Sequence, residues 1–346
     1  MGCESQRARG GRSAATLVLA GLAVSLAACG GSGSDETLQP AAEPAESPAA
    51  QVKPAGKVVT IGAGAEGMAW ASGTNSLALG LREPYRLAFV NPKSLKAEIA
   101  FPIPNPARHL AVSPSGNIVA VPSETANTVF EISKSKGLID EVGAGEHPHD
   151  AAFANGKVFV ANEFSDDISV LKGNLEMATL PAPVQPGGIA ATGDQKYVAV
   201  VAVSERVLRA YDARADKPLG EAPAGVGPTH LVTDGDDAYV ADTQGDLVRR
   251  FNIDATPTQT GSVPAKGTPY GIDIDRKRSR LWVSLTATNQ LAGFSIGGPK
   301  IRRIATYPTI QQPNSVAVDP DSGDVFVASR ITGQLERISP SVGKGK

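Results

Sequence analysis

Four histidines are the residues of this chain with the clearest chemical potential, because three of them lie within 41 residues. His147 and His149 flank Pro148, and His109 lies 38 residues before His147. Proline favours an extended backbone at the residue before it, so the two imidazoles can point to the same side. Asp150 adds a carboxylate. Two or three imidazoles with a carboxylate, at roughly 2.0–2.2 Å, suit Zn²⁺, or Cu²⁺ in a more planar geometry.

Two other interpretations of these residues stay open. Histidine and aspartate at the start of a strand commonly hydrogen-bond loop backbone and so tie neighbouring strands together. The same side chains could also contact a ligand without a metal. His230 follows His149 by two repeats of the pattern described next, so we expect it to lie at the rim, too far away to share a metal.

A repeated phrase determines where these residues lie. Seven times the chain shows a turn, two polar or small residues, and an apolar–small–apolar triplet, at steps of 38 to 44 residues. A period near 40 residues built from short strands is typical of β-propeller blades. The seven copies begin at Ala65, Ala107, Pro148, Pro186, Pro228, Pro269 and Pro313.

Each repeat divides into four strands, A to D, separated by turn residues such as Asn155-Gly156. The last repeat stops one strand short, and residues 57–62 form an unassigned strand before the first phrase. Pairing the two would complete the seventh blade and remove two exposed sheet edges. The sequence thus predicts an all-β, seven-bladed propeller of four-stranded antiparallel blades over residues 57–340, followed by a tail at 341–346.

The second and third strands of the third repeat (158–171) resemble the YVTN-type repeat, and residues 238–242 echo it. The resemblance implies a secreted or surface-exposed seven-bladed propeller that more often offers a binding surface than a reaction. In such propellers the D–A and B–C loops gather at one face, around the mouth of the central channel. By alignment all four histidines fall on this face. The candidate ligand-binding residues there are Glu66, Arg108, Glu163, His230, Tyr270 and Asn314.

A second resemblance concerns metal transport. Some extracytoplasmic propellers act as zinc chaperones for ABC importers, and this chain resembles them at His109, His147, His149 and Asp150. Those proteins usually carry a His-rich segment before the propeller, whereas residues 30–56 contain no histidine.

The N-terminal residues predict export and lipidation. Residues 1–28 combine a basic start with a short apolar stretch, and residues 26–30 resemble a bacterial lipobox with Cys29 as the lipidated residue. Residues 29–56 are rich in Gly, Ser, Ala, Pro and Glu and predict a disordered tether. Because Cys3 and Cys29 are the only cysteines, the exported domain has no disulfide, Cys-ligated zinc or Cys nucleophile.

Charge argues against nucleic acid as a partner. Removing residues 1–28 leaves 30 basic and 34 acidic residues, without a basic patch. We therefore expect a monomeric binding or scaffold module, lipid-anchored outside the cytoplasm on a bacterial membrane, with an envelope protein or a small ligand as partner. No cofactor other than Zn²⁺ or Cu²⁺ is indicated. The alternatives are a Zn²⁺ or Cu²⁺ metallochaperone and a lactonase- or lyase-like enzyme; we expect no enzymatic activity.

Overall fold

The computed structural model describes residues 40–340, which form one compact unit. The predicted signal peptide, Cys29, the first part of the predicted tether and the C-terminal tail lie outside the described residues. Residues 40–340 form seven four-stranded antiparallel sheets. This confirms the predicted all-β, seven-bladed propeller. No helix among these residues is long and apolar enough to cross a bilayer.

Each of the first four blades takes four consecutive strands. Blade 1 contains β2 (Ala63–Ala71), β3 (Ser76–Glu83), β4 (Tyr85–Val90) and β5 (Ala97–Pro102). Blade 2 contains β6 (Ala111–Val112), β7 (Ile118–Ser123), β8 (Thr128–Ser133) and β9 (Gly137–Gly143). Blade 3 contains β10 (Pro148–Ala154), β11 (Lys157–Asn162), β12 (Asp167–Lys172) and β13 (Leu175–Pro181). Blade 4 contains β14 (Pro186–Ala191), β15 (Tyr197–Ala202), β16 (Val207–Asp212) and β17 (Lys217–Pro223).

The last three blades follow the same order until the ring closes. Blade 5 contains β18 (Pro228–Asp234), β19 (Asp237–Asp242), β20 (Leu247–Asn252) and β21 (Thr258–Pro264). Blade 6 contains β22 (Pro269–Asp275), β23 (Arg280–Leu285), β24 (Gln290–Ser295) and β25 (Arg302–Pro308). Blade 7 contains β26 (Pro313–Val318), β27 (Val325–Ser329), β28 (Gln334–Ile338) and β1 (Lys57–Thr60). Four 3-10 turns lie at Ser72–Thr74, Glu124–Ala126, Arg276–Arg278 and Thr286–Thr288.

Strand β1 closes the ring as the sequence predicts. It pairs antiparallel with β28, with Val59 opposite Leu335, so blade 7 joins the two ends of the propeller. Val59 packs against a core cluster that includes Leu335, Phe326 and Leu79. Neighbouring Val58 points the other way, onto the cluster around Trp282. Strand β1 therefore packs one face toward blade 1 and the other toward blade 6.

The hydrophobic core lies between adjacent blades. Second strands such as β11 and β27 are buried on both faces, as their continuous apolar sequences predict. The Asn155-Gly156 hairpin turn also forms as predicted, with φ of 50° and 72° at its two residues. First strands line the central channel, and small residues on them such as Ala152 and Ala317 pack in the core clusters between blades.

Residues 40–56 differ from the predicted disordered tether. They form no strand, but they contact the propeller: Ala55 N–H donates to Pro308 O at 2.9 Å, and Gly56 N–H donates to Glu336 Oε1 at 2.7 Å. The composition correctly indicates that this segment has little apolar surface to bury. Its attachment depends instead on hydrogen bonds from its main chain to strands and loops of the propeller, which composition does not reveal.

A charge in the closing strand tests the role of β1. Val59→Asp places a carboxylate against the apolar cluster of Leu335 and should lower the free energy of unfolding by about 1–3 kcal/mol. Thr60→Asp, at the exposed end of the same strand, should change it by no more than about 0.5 kcal/mol. Urea unfolding of both variants measures the difference. Equal stability of the two variants would contradict closure by β1.

Candidate functional site

Irregular pairing marks the start of the first strand in nearly every blade. In six blades the register against the second strand shifts there, at Ala65/Met68, Pro148/Asp150, Pro186/Ile189, Pro228/His230, Pro269/Ile272 and Pro313/Ser315. In blade 2 the regular strand starts only at Ala111, after Arg108 and His109. Such bulges re-aim side chains locally. The repeated phrase of the sequence therefore corresponds to a ring of irregular strand starts around the channel mouth.

Three histidines meet inside this ring. His109 of blade 2, His149 of blade 3 and His230 of blade 5 each offer one ring nitrogen, and these atoms lie within 4.8 Å of one another. The ring centroid of His109 lies 4.8 Å from that of His149 and 4.5 Å from that of His230. The expectation that His230 lies too far away to share a metal is therefore wrong. We call His109, His149 and His230 the three-histidine cluster.

Two glycines lie in blade 4, between the blades that carry His149 and His230. A Cβ atom on Gly187 would lie 3.0 Å from Val203 Cγ1 and, at ordinary contact distance, 3.4 Å from His149 Nδ1. A Cβ atom on Gly188 would lie 3.1 Å from His230 Cα and would press on the backbone of blade 5. Blade 4 therefore contributes no side chain next to the cluster at these two positions. The Gly187-Gly188 pair is a sequence signal that could have indicated this close approach.

Hydrogen bonds orient His230 toward His109. Nδ1 of His230 lies 3.2 Å from the carbonyl oxygen of Tyr270, and Nε2 lies 3.0 Å from Nε2 of His109. Donation from Nδ1 to the carbonyl would leave the lone pair of His230 Nε2 facing the cluster, as a carbonyl partner does for many metal-binding histidines. Burial lowers the pKa of His230 to about 3. The imidazole of His230 is therefore neutral in the folded protein.

His149 is the least satisfied polar side chain of the cluster. It is 6% exposed, and neither ring nitrogen has a hydrogen-bond partner. Burial, with Arg108 and His230 nearby, lowers the pKa of His149 well below its usual value, and burial with its two histidine neighbours does the same for His109. A buried polar group without a partner costs on the order of 1–3 kcal/mol. This orphaned imidazole is the strongest indication that the cluster binds something.

Charged side chains surround the cluster on the mouth side. Arg108 Nη1 lies 3.4 Å from Glu124 Oε1 and 3.8 Å from Glu163 Oε2. Burial on its own would lower the pKa of Arg108, but Tyr270 and the surrounding carboxylates raise it, so the guanidinium stays charged. Glu163 Oε2 also lies 3.8 Å from His149 Nδ1. Glu163 is thus the carboxylate nearest to an imidazole of the cluster.

The other predicted ligand-binding residues lie around the same mouth. Glu66 is buried and pairs with Arg82, and its Oε1 lies 3.8 Å from Arg330 Nη1. The Tyr270 ring packs edge-on against His230, with centroids 4.3 Å apart. Asn314 lines the channel below them. The sequence did not indicate Gln185, whose Nε2 donates to Glu163 Oε1 at 2.8 Å.

His147 does not join the cluster. Its backbone is left-handed, with φ of 53°, and its N–H donates to Asn127 Oδ1 at 3.1 Å. The imidazole packs instead on the exposed Phe164 ring, with centroids 4.3 Å apart. The predicted pairing of His147 and His149 on one side fails because a left-handed backbone, rather than the extended one favoured before proline, turns the first ring outward.

Asp150 serves the structure rather than the cluster. Its Oδ1 accepts the Ala151 N–H at 2.8 Å, and its Oδ2 accepts the Ile189 N–H of blade 4 at 3.2 Å. Burial raises the pKa of Asp150 to about 7, although both hydrogen bonds lower it. This is the structural interpretation that the sequence left open, in which a carboxylate ties one blade to the next.

Asp273 makes the same link between blades 6 and 7. Its two oxygens accept the Ile274 N–H at 2.7 Å and the Val318 N–H at 2.8 Å. Both Asp150 and Asp273 line a cavity of about 490 Å³ inside the channel. The cavity extends from His109 and His230 to Ser72 and Pro320 at the opposite end of the first strands. His109 and His230 of the three-histidine cluster therefore line the mouth end of the channel cavity.

The three-histidine cluster fits a transition-metal ion by its donor set. Three neutral imidazoles with one position open are a known set for Zn²⁺, and imidazole also suits Cu²⁺. A tetrahedral ion with bonds of about 2.0–2.1 Å holds its ligands roughly 3.3 Å apart. The His109–His230 pair is at 3.0 Å, whereas the three ligand atoms together lie within 4.8 Å, so the imidazoles would have to move closer together to bind one ion. Glu163, at the edge of the cluster, would balance part of the added charge.

Solved structures with the same fold belong to functionally unrelated proteins. The Kuenenia stuttgartiensis hydrazine synthase aligns with a TM-score of 0.71 and 15% identity over 81% of this chain and 96% of that chain. A β-propeller domain from Myceliophteria thermophila gives 0.71 and 12%, over 82% and 98%. A streptogramin B lyase gives 0.67 and 15%, over 82% and 96%. No protein-family model matches the chain, and no curated protein matches it significantly.

At these identities the likeness establishes the fold alone. The propeller is shared by proteins of different function, so function must be argued from the residues of the site.

The buried Asp273 gives a pH test of the ties between blades. Burial raises its pKa above the ordinary 3.8, so its stabilising contribution is complete below that pH and is lost as pH rises through the raised pKa. Asp273→Asn does not ionise. The unfolding free energy of the wild type, relative to this variant, should therefore fall as pH rises from about 4 through the raised pKa, by about 1.4 kcal/mol for each unit of raised pKa.

Asp194→Asn is the matched control for this measurement. The pKa of Asp194 is lowered by hydrogen bonds from the Lys196 N–H and Thr192, so its contribution grows rather than falls as pH rises from the acid range. Urea unfolding at several pH values compares the two variants. A difference for Asp273→Asn that does not change with pH would show that its carboxylate is not disfavoured by burial.

Proposed function

We propose that this protein is a lipid-anchored, extracytoplasmic metal-binding propeller that takes up Zn²⁺ or Cu²⁺ through His109, His149 and His230. One observation carries the proposal: imidazoles from three separate blades converge within 4.8 Å, and one of them is buried with both nitrogens unpartnered. A structural role would leave such a side chain hydrogen-bonded. A bound metal would supply the missing partner.

The donor set favours exchange of the metal over a purely structural site. Structural zinc sites are closed by four protein ligands, whereas three imidazoles leave one position open. The burial that lowers the pKa values of these imidazoles also keeps them unprotonated, as metal ligands must be. These properties suit a protein that receives the ion and passes it to an envelope partner, the metallochaperone role that the second resemblance implies.

The N-terminal residues support the proposed location. The apolar stretch followed by Leu26 to Gly30 is typical of a lipoprotein signal, with Cys29 as the acylated residue. The two acyl chains of a diacylglyceryl group would hold the protein stably on a membrane, which a single chain would not. A metal-binding domain on such an anchor would stay close to a membrane transporter.

Metal binding is tested by single substitutions with a matched histidine control. His149→Ala and His230→Ala should each lower Zn²⁺ affinity at least about 100-fold, because each removes a ligand. His147→Ala should bind like the wild type, since His147 packs on Phe164 outside the cluster. Competition with a chromogenic chelator gives the affinity, and elemental analysis gives the metal-to-protein ratio.

Thermal unfolding in chelator shows whether each variant remains folded. In the wild type, Zn²⁺ at about 100 times its Kd should add about 2.7 kcal/mol of stability. The absence of bound metal and of any thermal shift in the wild type would contradict the proposal. Equal loss in His147→Ala would contradict the assignment of ligands.

Lipid attachment is tested at Cys29. Cys29→Ser should abolish acylation and move the protein from the detergent phase to the aqueous phase in a phase-partition assay. Cys3→Ser keeps the lipobox and should partition like the wild type. Wild-type protein in the aqueous phase would rule out the anchor.

A further inference from the structure

The loops of blades 6 and 7 hold part of the N-terminal segment by its main chain. Ala45 N–H donates to Thr286 Oγ1 at 3.1 Å, and Ala45 O accepts from Gln312 Nε2 at 2.9 Å. Ser47 N–H donates to Gln312 Oε1 at 2.8 Å, and the Ser47 hydroxyl donates to Thr286 O. One amide side chain, that of Gln312, thus pairs with two alternate residues of an extended peptide, as a neighbouring strand would.

Two further amides complete this contact. Asn289 Nδ2 donates to Pro48 O at 2.8 Å, and Gln311 Nε2 donates to Ser47 O at 3.3 Å. Asn289 Oδ1 accepts the Gln312 N–H at 3.0 Å, which links the two loops that carry these side chains. Thr286 is fully buried, and Asn289 and Gln312 are 7% exposed. We call Thr286, Asn289, Gln311 and Gln312 the peptide groove.

The segment before the groove crosses the channel mouth. Ala41 packs against a core cluster formed by blades 4 and 5, which includes Val203 and Leu231. Ala42 is 5% exposed. Glu43 Oε2 then lies 4.0 Å from Nη2 of Arg108, the residue that precedes His109. The chain therefore passes from blades 4 and 5, over the residues beside the three-histidine cluster, to the groove on blades 6 and 7.

We propose that the peptide groove is a binding site for an extended peptide, that residues 45–48 occupy it in cis, and that residues 41–48 thereby cover the mouth above the three-histidine cluster. Recognition is mainly through backbone groups, so the site accepts small and proline-containing residues such as Ala45 and Pro48. The proposal that residues 45–48 occupy the peptide groove rests on these contacts alone. The further expectation, that release of residues 41–48 speeds metal exchange, rests on the proposed function.

The attachment is weak enough to open. Each neutral hydrogen bond contributes on the order of 1 kcal/mol, and the segment buries little apolar surface. The Glu43–Arg108 pair is solvent-screened, because the Glu43 side chain is 67% exposed. A partner peptide that competes for the groove would release residues 41–48 and open the mouth.

Substitutions on either side of the contact test the proposal in the metal-free, full-length protein. Gln312→Asn shortens the side chain, while asparagine tolerates the left-handed backbone at this position, where φ is 55°. Ala45→Pro with Ser47→Pro removes the two donating N–H groups without altering the propeller. Thr268→Asn is the control, because it places the same residue at the corresponding left-handed position of the preceding blade, where φ is 60°.

Hydrogen–deuterium exchange of residues 41–48 is the first measurement. We expect the Ala45 and Ser47 amides to be protected in the wild type and in Thr268→Asn, and to exchange at least tenfold faster in Gln312→Asn. The double proline variant lacks both amides and is used in the second measurement. Amides that exchange in the wild type as fast as in a free peptide would overturn the docking.

Modification of the histidines by diethylpyrocarbonate is the second measurement, with mass spectrometry separating His109, His149 and His230 from His147. Release of the segment should raise the modification rate of the three clustered histidines several-fold and leave His147 unchanged. An unchanged rate would show that the segment is not a cover, since reagents would then enter through the cavity from the opposite end.

Neither readout needs a metal, so both remain decisive if Zn²⁺ and Cu²⁺ fail to bind. If metal does bind, stopped-flow mixing with Zn²⁺ should show faster association in the two releasing variants than in Thr268→Asn. Equal association rates would overturn the consequence for metal exchange while leaving the docking to be judged by hydrogen exchange.

Discussion

The crowding of seven inner strands around one axis is the constraint on which the rest of this structure depends. Side chains at the strand starts share a small volume, so each blade can add bulk there only where a neighbour omits it. Gly187 and Gly188 of blade 4 are such omissions, because a Cβ on Gly188 would press on the His230 backbone and one on Gly187 would touch His149. The imidazoles that meet come from three separate blades and are not close in sequence.

Burial then determines the protonation state of the three-histidine cluster. Desolvation lowers the pKa values of His109, His149 and His230 and keeps these side chains neutral, while Arg108 remains charged among carboxylates. The charged side chains therefore lie on the mouth side, next to the neutral three-histidine cluster. Asp150 and Asp273, a little deeper in the channel, use buried carboxyl groups for another purpose, which is to hold adjacent blades together. Residues one position apart in the sequence, such as His149 and Asp150, therefore serve different roles.

The N-terminal segment connects the mouth to the proposed membrane anchor. A segment without large apolar side chains cannot fold by burial, but its main chain can still be held by buried amides such as Gln312 and Asn289. The same residues that would tether the domain would also control access to its face. The N-terminal segment would then both attach the domain to the membrane and determine whether the three-histidine cluster is accessible.

The sequence alone determined the architecture, because a period of about 40 residues and alternating short apolar runs are local signals. It also predicts that Glu66, Arg108, Glu163, His230, Tyr270 and Asn314 lie on one face, since equivalent positions of a repeat lie on equivalent loops. Only the tertiary structure decided which histidines meet. That outcome depends on a left-handed backbone at His147, which turns its ring away, and on contacts across the channel between blades 2 and 5. It also decided where residues 40–56 lie, since composition reports how little apolar surface a segment can bury but not which buried amides pair with its main chain.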